Sequence, residues 1–392
     1  VKVLSTSAGH PPGRQFVVAT ALLALLGVPA IAADVKLPKN ISWSAYETGS
    51  SGHSQSVGLG QMLTKKYGVD LRIIPGKNDV SRMIPLKVGQ TEVCACGIAA
   101  YFAQEGVLMF ADKTWGPQPV YSLFNNIGRN GAQLAVAADT DIKTSADIKG
   151  KRVTYVKGAP ALNVQTEAHL AFAGLTWADV QKVEVPGFGQ SLEAVINGQA
   201  DVVFGSTITS NYTRIAASPR GLFFPPLPHD DKAGWERALA VAPWWSKATI
   251  TNYTKGAKNE APWQGATYPY PLFIVNRTVS DDIAYGLTKA VMENYDEIKD
   301  AGPGMDGYQL ANQNLAYVMP YHPAAVAYYK EKGLWKDEHE KNNVAMIKRQ
   351  EVLATAWKAF NAKPPAGDAF QAEWLKARAA ALEAAGMPVI FR

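Results

Sequence analysis

The chain has 392 residues, 47% hydrophobic and 19% charged, a balance that supplies apolar material for sizeable cores and excludes bulk disorder. Its formal charge is +5, and Lys2 and Arg14 carry two of those positives, so the remainder is only mildly basic. No dense Lys/Arg tract with interleaved aromatics is present, which excludes a nucleic-acid surface and leaves an anionic small molecule as the partner that the charge suits.

Residues 1–33 open with Lys2 and Arg14, continue as an apolar run from Phe16 to Leu26, and end in Ala30-Ile31-Ala32-Ala33 ahead of Asp34. A positive lead, a short apolar core and an Ala-x-Ala exit read as a secretory signal peptide, cleaved near Ala32 or Ala33. The run falls short of the roughly 20 residues a membrane-spanning helix needs. The expected product is an exported, periplasmic protein.

After the leader, Ile41, Trp43 and Ala45 alternate with Ser42, Ser44 and Tyr46, the period of a strand. It stops at Gly49-Ser50-Ser51-Gly52. A helix follows with Leu59, Met62 and Leu63 on one face, ending near Tyr67-Gly68. Val69 to Ile74 reads as the next strand and Pro75-Gly76 as a turn. Asn78 or Asp79 caps a short helix to Val88, and Glu92 to Cys96 forms a third strand. Strand–helix–strand–helix–strand at this spacing predicts a parallel sheet with helices packed on it.

The pattern restarts after Asn130-Gly131. Strands are expected at Gln133 to Ala138, Lys151 to Val156, Lys182 to Val185 and Ala200 to Phe204, with helices near Asn163 to Ala173 and Gln190 to Asn197. Ala257 to Pro271, rich in Pro, Gly and aromatics, reads as a crossing segment. Leu272 to Val275 is a strand, Ser280 caps a helix, and the rest is mainly helical. The chain therefore reads as two similar α/β units.

Cys94 and Cys96, two apart on a strand, stand on one face without favourable crosslink geometry and are expected to be small, buried packing residues. The six histidines are scattered, no metal-site spacing is present, and His229-Asp230-Asp231 reads as a solvated loop. No metal or cofactor is expected.

Several motifs together resemble the TAXI-type solute-binding proteins of TRAP transporters. They are Tyr46-Glu47-Thr48-Gly49-Ser50-Ser51-Gly52; Gly89-Gln90-Thr91-Glu92-Val93; Ser145-Ala146-Asp147-Ile148-Lys149-Gly150-Lys151-Arg152-Val153; Gly198-Gln199-Ala200-Asp201-Val202; and His322-Pro323 through Tyr328-Tyr329-Lys330-Glu331-Lys332-Gly333. The resemblance implies an α/β periplasmic-binding-protein type II fold, with two lobes, a hinge and a ligand cleft between them. The implied division is a signal peptide at 1–33, the first part of lobe 1 at 34–130, lobe 2 at 131–265, and a return to lobe 1 with C-terminal helices at 266–392. It also implies a monomeric transport receptor that binds a small organic anion, a dicarboxylate or amino dicarboxylate, and hands it to membrane subunits. A periplasmic sensing receptor is the alternative, and an exported enzyme a weaker one, since no nucleophile, base and orienting group fall into a recognisable motif.

The candidate ligand residues follow from where strands end. Gly49, Ser50, Ser51 and Gly52, after Tyr46, lie between a strand end and a helix start, where free N–H groups and the helix dipole make an anion site. Gly158, Ala159, Pro160 and Asn163 form the corresponding loop of the second unit, which lacks the family's usual Ser-Gly-Thr; Asn163 either caps its helix or meets ligand. Arg82, a cation in a helix's first turn, either forks onto a carboxylate or stands at the surface. Tyr101 and Phe102 follow the third strand at the sheet's carboxyl edge, as cleft wall or core. Thr207 ends a second-unit strand, and Tyr268 is a cleft wall or a hinge brace. Catalytic residues are expected to be absent.

Overall fold

The computed structural model describes residues 34–365 and 369–391; the expected signal peptide lies outside them. Strand β1 (Asn40–Tyr46) carries the alternation around Trp43, whose indole is fully buried and meets Phe273 edge-on at 5.0 Å between ring centres. Helix α1 (Ser51–Tyr67) begins where Ser50 leaves the strand. The Ser50 Oγ accepts from the His53 N–H at 3.3 Å, satisfying one of the first-turn donors that a helix cannot pair internally. It ends at Gly68, with φ 65°, a left-handed cap that glycine adopts without penalty.

Strand β2 (Asp70–Gly76) runs on through Pro75 and Gly76, which the sequence presents as a turn. It lies at the sheet edge, where a proline's missing N–H is tolerated. Helix α2 (Asp79–Lys87) is closed by a capping box between Asn78 and Ser81. Strand β3 (Val93–Cys96), helix α3 (Ala99–Glu105) and strand β4 (Val120–Asn125) follow. All six residues of β4 are buried, so it lacks the alternation by which sequence reading finds a strand.

Cys94 and Cys96 are fully buried in β3, as packing residues are, but their sulfurs are joined in a disulfide. The expected poor geometry is corrected by a local compression. Their Cα atoms are 5.2 Å apart, closer than two residues of extended strand and within the usual disulfide range.

The second lobe contains β5 (Ala132–Ala137), β6 (Arg152–Val156), α4 (Pro160–Phe172), β7 (Gln181–Val185), α5 (Phe188–Ile196), β8 (Val202–Ser206), α6 (Tyr212–Ala217) and β9 (Leu222–Phe223). Helix α7 (Lys232–Val241) leads to the antiparallel pair β10 (Ser246–Ile250) and β11 (Trp263–Thr267). The irregular crossing expected at 257–271 is thus one-third strand, because β10 supplies β11 with a partner that Pro262 and Gly265 obscure in the sequence. Strand β12 (Leu272–Asn276) returns to the first sheet, and α8 (Asp281–Glu293), α9 (Tyr295–Ile298), α10 (Pro323–Glu331), α11 (Asp337–Asn361) and α12 (Phe370–Ala384) complete the chain.

The two large sheets share one scheme, β2-β1-β3-β12-β4 and β7-β6-β8-β5-β9. In each, a strand arriving from the other lobe enters from the opposite edge and runs against its neighbours. Thus β12 is antiparallel to β3 and β4, and β5 to β8 and β9. The two crossings, at 126–131 and 268–271, lie side by side: the Tyr270 N–H donates to the Asn126 carbonyl at 2.8 Å and the Asn126 N–H to the Pro271 carbonyl at 3.1 Å. This is the two-lobed α/β architecture that the resemblance implies. One apolar core, with Trp43, Leu59, Leu63, Phe273 and Leu287, lies on a face of the first sheet, and a larger one extends from its other face, with Met83, Cys94 and Phe102, through the second lobe. Fully burying each such leucine or phenylalanine contributes about 1.5–3 kcal/mol.

The C-terminal helices are pinned to the first lobe by a buried charge cluster. Glu105, at the end of α3, accepts from Arg349 at 2.6 and 2.7 Å and also from Arg378. The Trp374 Nε1 donates to the Gly106 carbonyl at 2.6 Å. No described helix is long and apolar enough to cross a membrane.

Candidate functional site

The cleft forms where strands end and helices begin, the position at which open α/β sheets present free backbone groups. From the first lobe come Tyr46, Ser50, Ser51 and Arg82; from the second, Ala161, Leu162, Phe188, Phe204, Gly205, Ser206 and Thr209; from the crossings, Asn130, Gly131, Ala132, Thr267, Tyr268 and Tyr270. The lobes are closed on one another, and the cavity between them measures about 30 Å³. In this closed form it has room for about one water, so a solute enters only when the lobes part further than they do here.

Arg82 sits at the centre of the first-lobe wall, 1% exposed. Its Nη2 donates to the Asp79 Oδ1 at 2.8 Å and its guanidinium lies 3.9 Å from the Tyr46 ring centre, a cation–π distance. Burial opposes the Arg82 charge, but Tyr46 and Asp79, then Tyr270 and Tyr268, more than offset it and hold its pKa above the ordinary value. Its Nε–H has no partner. The cation that looks out of place in a helix's first turn is explained by Asp79, which heads the same turn.

Asp79 does more than neutralise Arg82. Its Oδ1 also accepts from the Tyr46 hydroxyl at 2.5 Å, while its Oδ2 accepts from the Ala161 N–H at 2.7 Å, in the first turn of α4 in the other lobe. Glu47 repeats the arrangement: its carboxylate accepts from the Gly189 N–H, in the first turn of α5. Burial raises the Glu47 pKa, and the Gly189 N–H pulls it the other way. Two helix N-termini of the second lobe are therefore occupied by carboxylates of the first, the charge that a helix start favours. Helix α1 is different. Its opening N–H groups at Ser51 and Gly52 have no intrahelical partner, and both serine side chains line the cavity beside them. On the first crossing, the Asn130 Nδ2 donates to the Ser206 hydroxyl at 3.2 Å, and its Oδ1 is buried without a hydrogen bond toward Gly128 and Gly304.

The candidate residues divide by position. Tyr46, Ser50, Ser51, Arg82 and Tyr268 line the cavity; the Tyr268 hydroxyl is 3.4 Å from the Gln165 Nε2 that donates to it. Gly52 stands behind the wall: a Cβ there would meet the Tyr270 hydroxyl at 2.9 Å. Gly49 is the loop glycine with left-handed backbone, φ 90°, and a Cβ on it would meet the Asn211 side chain of the second lobe. Gly158, Ala159, Pro160 and Asn163 do not line this cavity but a surface groove beside α4, because the α4 start is turned to Asp79. The Asn163 side chain caps strand groups instead, accepting from the Val156 N–H and donating to its carbonyl, both at 2.9 Å. The Thr207 hydroxyl braces the first crossing, accepting from the Gly131 N–H and donating to the Asn252 carbonyl, both at 3.0 Å. Tyr101 and Phe102 also lie off the cleft: α3 turns them toward Trp244 and Phe391.

Sequence reading misses Asp79 as an interlobe group, misses Asn130, Phe188, Thr209 and Tyr270 as site residues, and at the end of β8 chooses Thr207 over its neighbour Ser206. Asp79 carries a local signal, but that signal is fully explained by helix capping. The others are brought together only by the crossings and carry no shared motif. Among the described residues no group of three metal-ligating side chains forms. In the supposed solvated loop, Asp231 caps α7 by accepting from the Gly234 N–H at 2.8 Å.

Among solved structures, the chain is similar to a protein from Bordetella bronchiseptica RB50 at 16% identity, covering 88% of this chain and 89% of that one with a TM-score of 0.43. It is also similar to the alkanesulfonate-binding protein from Xanthomonas axonopodis pv. citri bound to MOPS, at 16% identity, 83% and 94% coverage and a TM-score of 0.43. A glutathione-import protein of Streptococcus mutans matches at 14% identity, 70% and 98% coverage and a TM-score of 0.45. A family model matches residues 57–333, most of the sequence, and the chain accordingly belongs to the NMT1-like family.

Proposed function

We propose that this protein is an extracytoplasmic solute receptor of the TAXI type, which binds a small dicarboxylate or amino dicarboxylate such as glutamate or 2-oxoglutarate and delivers it to the membrane subunits of a TRAP transporter. The observation that carries the anion is the buried Arg82, facing the interlobe cavity with an unpartnered Nε–H. The free start of α1 and the hydroxyls of Ser50 and Ser51 add donors on the same wall.

Among the described residues, the cavity lining holds no Asp, Glu, His, Cys or Lys. Its titratable groups are Arg82 and the phenols of Tyr46, Tyr268 and Tyr270, whose pKa values burial raises, so they serve there as hydrogen-bond donors, the role a receptor needs. The membrane partner follows from the sequence motifs quoted above. Calorimetry with glutamate, 2-oxoglutarate and succinate, set against glucose and putrescine, tests the reading. Saturable binding of one of the acids is the expected result, and binding of only the uncharged sugar or the diamine overturns the ligand class.

A further inference from the structure

A second cavity, of about 560 Å³, opens between the turn from α7 to β10 in the second lobe and the C-terminal helical layer on the first. Its volume lies in the range of small-molecule sites and exceeds that of the interlobe cleft. It is separate from the cleft: no residue lines both.

Its wall is aromatic and polarisable, with Tyr101, Trp244, Trp245, Tyr317 and Met346 as the main surfaces. Two of these residues carry a buried polar atom with no partner among the described residues, and a third makes no hydrogen bond with its hydroxyl. The two are the Trp244 Nε1 and the Tyr317 hydroxyl; the third is Tyr101, a residue 2% exposed. Each can donate a hydrogen bond, and buried donors are rarely left unpaired. The charge behind the wall is also one-sided. Arg349 lines the cavity, and it shares the single carboxylate of Glu105 with Arg378 among the described residues. Flat rings and thioethers accept a planar aromatic body, while donors backed by excess positive charge accept an acid group.

We infer that this cavity is a second ligand site, for a small planar aromatic acid whose ring lies among Trp244, Trp245 and Tyr317 and whose acid group faces Tyr101 and Arg349. The inference is independent of what the interlobe cleft binds.

Calorimetry with 2-naphthoate tests it. One saturable site per chain is expected, undiminished by saturating glutamate, with 2-naphthamide weaker by about tenfold for want of the charge. Ala345→Trp, on the exposed face of α11 at the cavity wall, should weaken 2-naphthoate at least about tenfold with an unchanged melting temperature. Tyr101→Phe removes only an unpartnered hydroxyl, so it should fold normally and weaken 2-naphthoate about fivefold, as loss of one hydrogen bond does. No saturable binding, or equal affinity in both variants and the parent protein, overturns the site; equal affinity for the amide overturns the acid class.

Discussion

At the scale of residues, the Asp79–Arg82 pair decides what the cleft can bind. Both side chains are fully buried, and removing one partner of such a pair leaves the other charge without compensation, at a cost of about 3–5 kcal/mol. Arg82→Ala should therefore lower unfolding stability by about that amount in urea titration, in addition to any loss of solute binding. The double variant Asp79→Asn with Arg82→Met should lose clearly less than the sum of its single changes. Additive losses would show that the two groups do not act as a pair. The sequence shows Arg82 only as a misplaced cation and Asp79 only as a helix cap. Their joint role is invisible there because the Ala161 N–H lies 82 positions away.

His169 gives a second residue-scale prediction. Its ring is buried among Trp245 and Phe204, with Nε2 3.2 Å from the Ala132 carbonyl. Burial lowers its pKa from 6.5 to about 3, the Ala132 carbonyl opposing the shift. Between those values the unfolded chain binds the proton and the folded chain does not, so this group's contribution to stability rises with pH. It is fully present above about pH 6.5 and is lost toward pH 3, with a slope near 1.4 kcal/mol per pH unit. Denaturation of His169→Phe across that window should show a slope shallower by about this amount; an identical slope would contradict a neutral buried imidazole.

At the scale of elements, the β1-to-α1 loop connects ligand binding to lobe closure. Gly52→Val would drive a branched side chain toward the Tyr270 hydroxyl, 2.9 Å from the Cβ position, narrowing the cavity from behind. It should abolish the thermal stabilisation that the bound acid gives. Gly49→Ala acts differently, because its φ is 90° and its Cβ would meet Asn211 across the lobe boundary. The left-handed strain alone is about 1–2 kcal/mol, and the clash falls on the closed form. Affinity should drop about tenfold or more while the chain stays folded, and full-strength binding by Gly49→Ala would contradict closure around this loop. That loop was legible because glycines and serines stand between an alternating strand and a periodic helix. The strand β4 was not, since burial on both faces removes its alternation. The second-lobe loop at 158–163 was legible as a helix start, but the acid that meets it belongs to the protein.

At the scale of the whole molecule, the two matching sheets and paired crossings make a clamp whose closed form is held from both sides. Asp79 and Glu47 reach helix starts in the second lobe, and the Ser210 hydroxyl donates back to the Gly49 carbonyl at 2.8 Å. The two-unit organisation was legible in the repeated strand–helix order, whereas the side-by-side crossings depend on pairings between residues more than a hundred positions apart. A solute that contacts both walls gains those contacts only when the lobes close, so binding should shift the ensemble toward the compact form. Small-angle scattering on the chain alone and with saturating glutamate or 2-oxoglutarate, whichever calorimetry shows to bind, tests this most directly. The account predicts a smaller radius of gyration with the bound acid, and an unchanged radius at demonstrated saturation would contradict it.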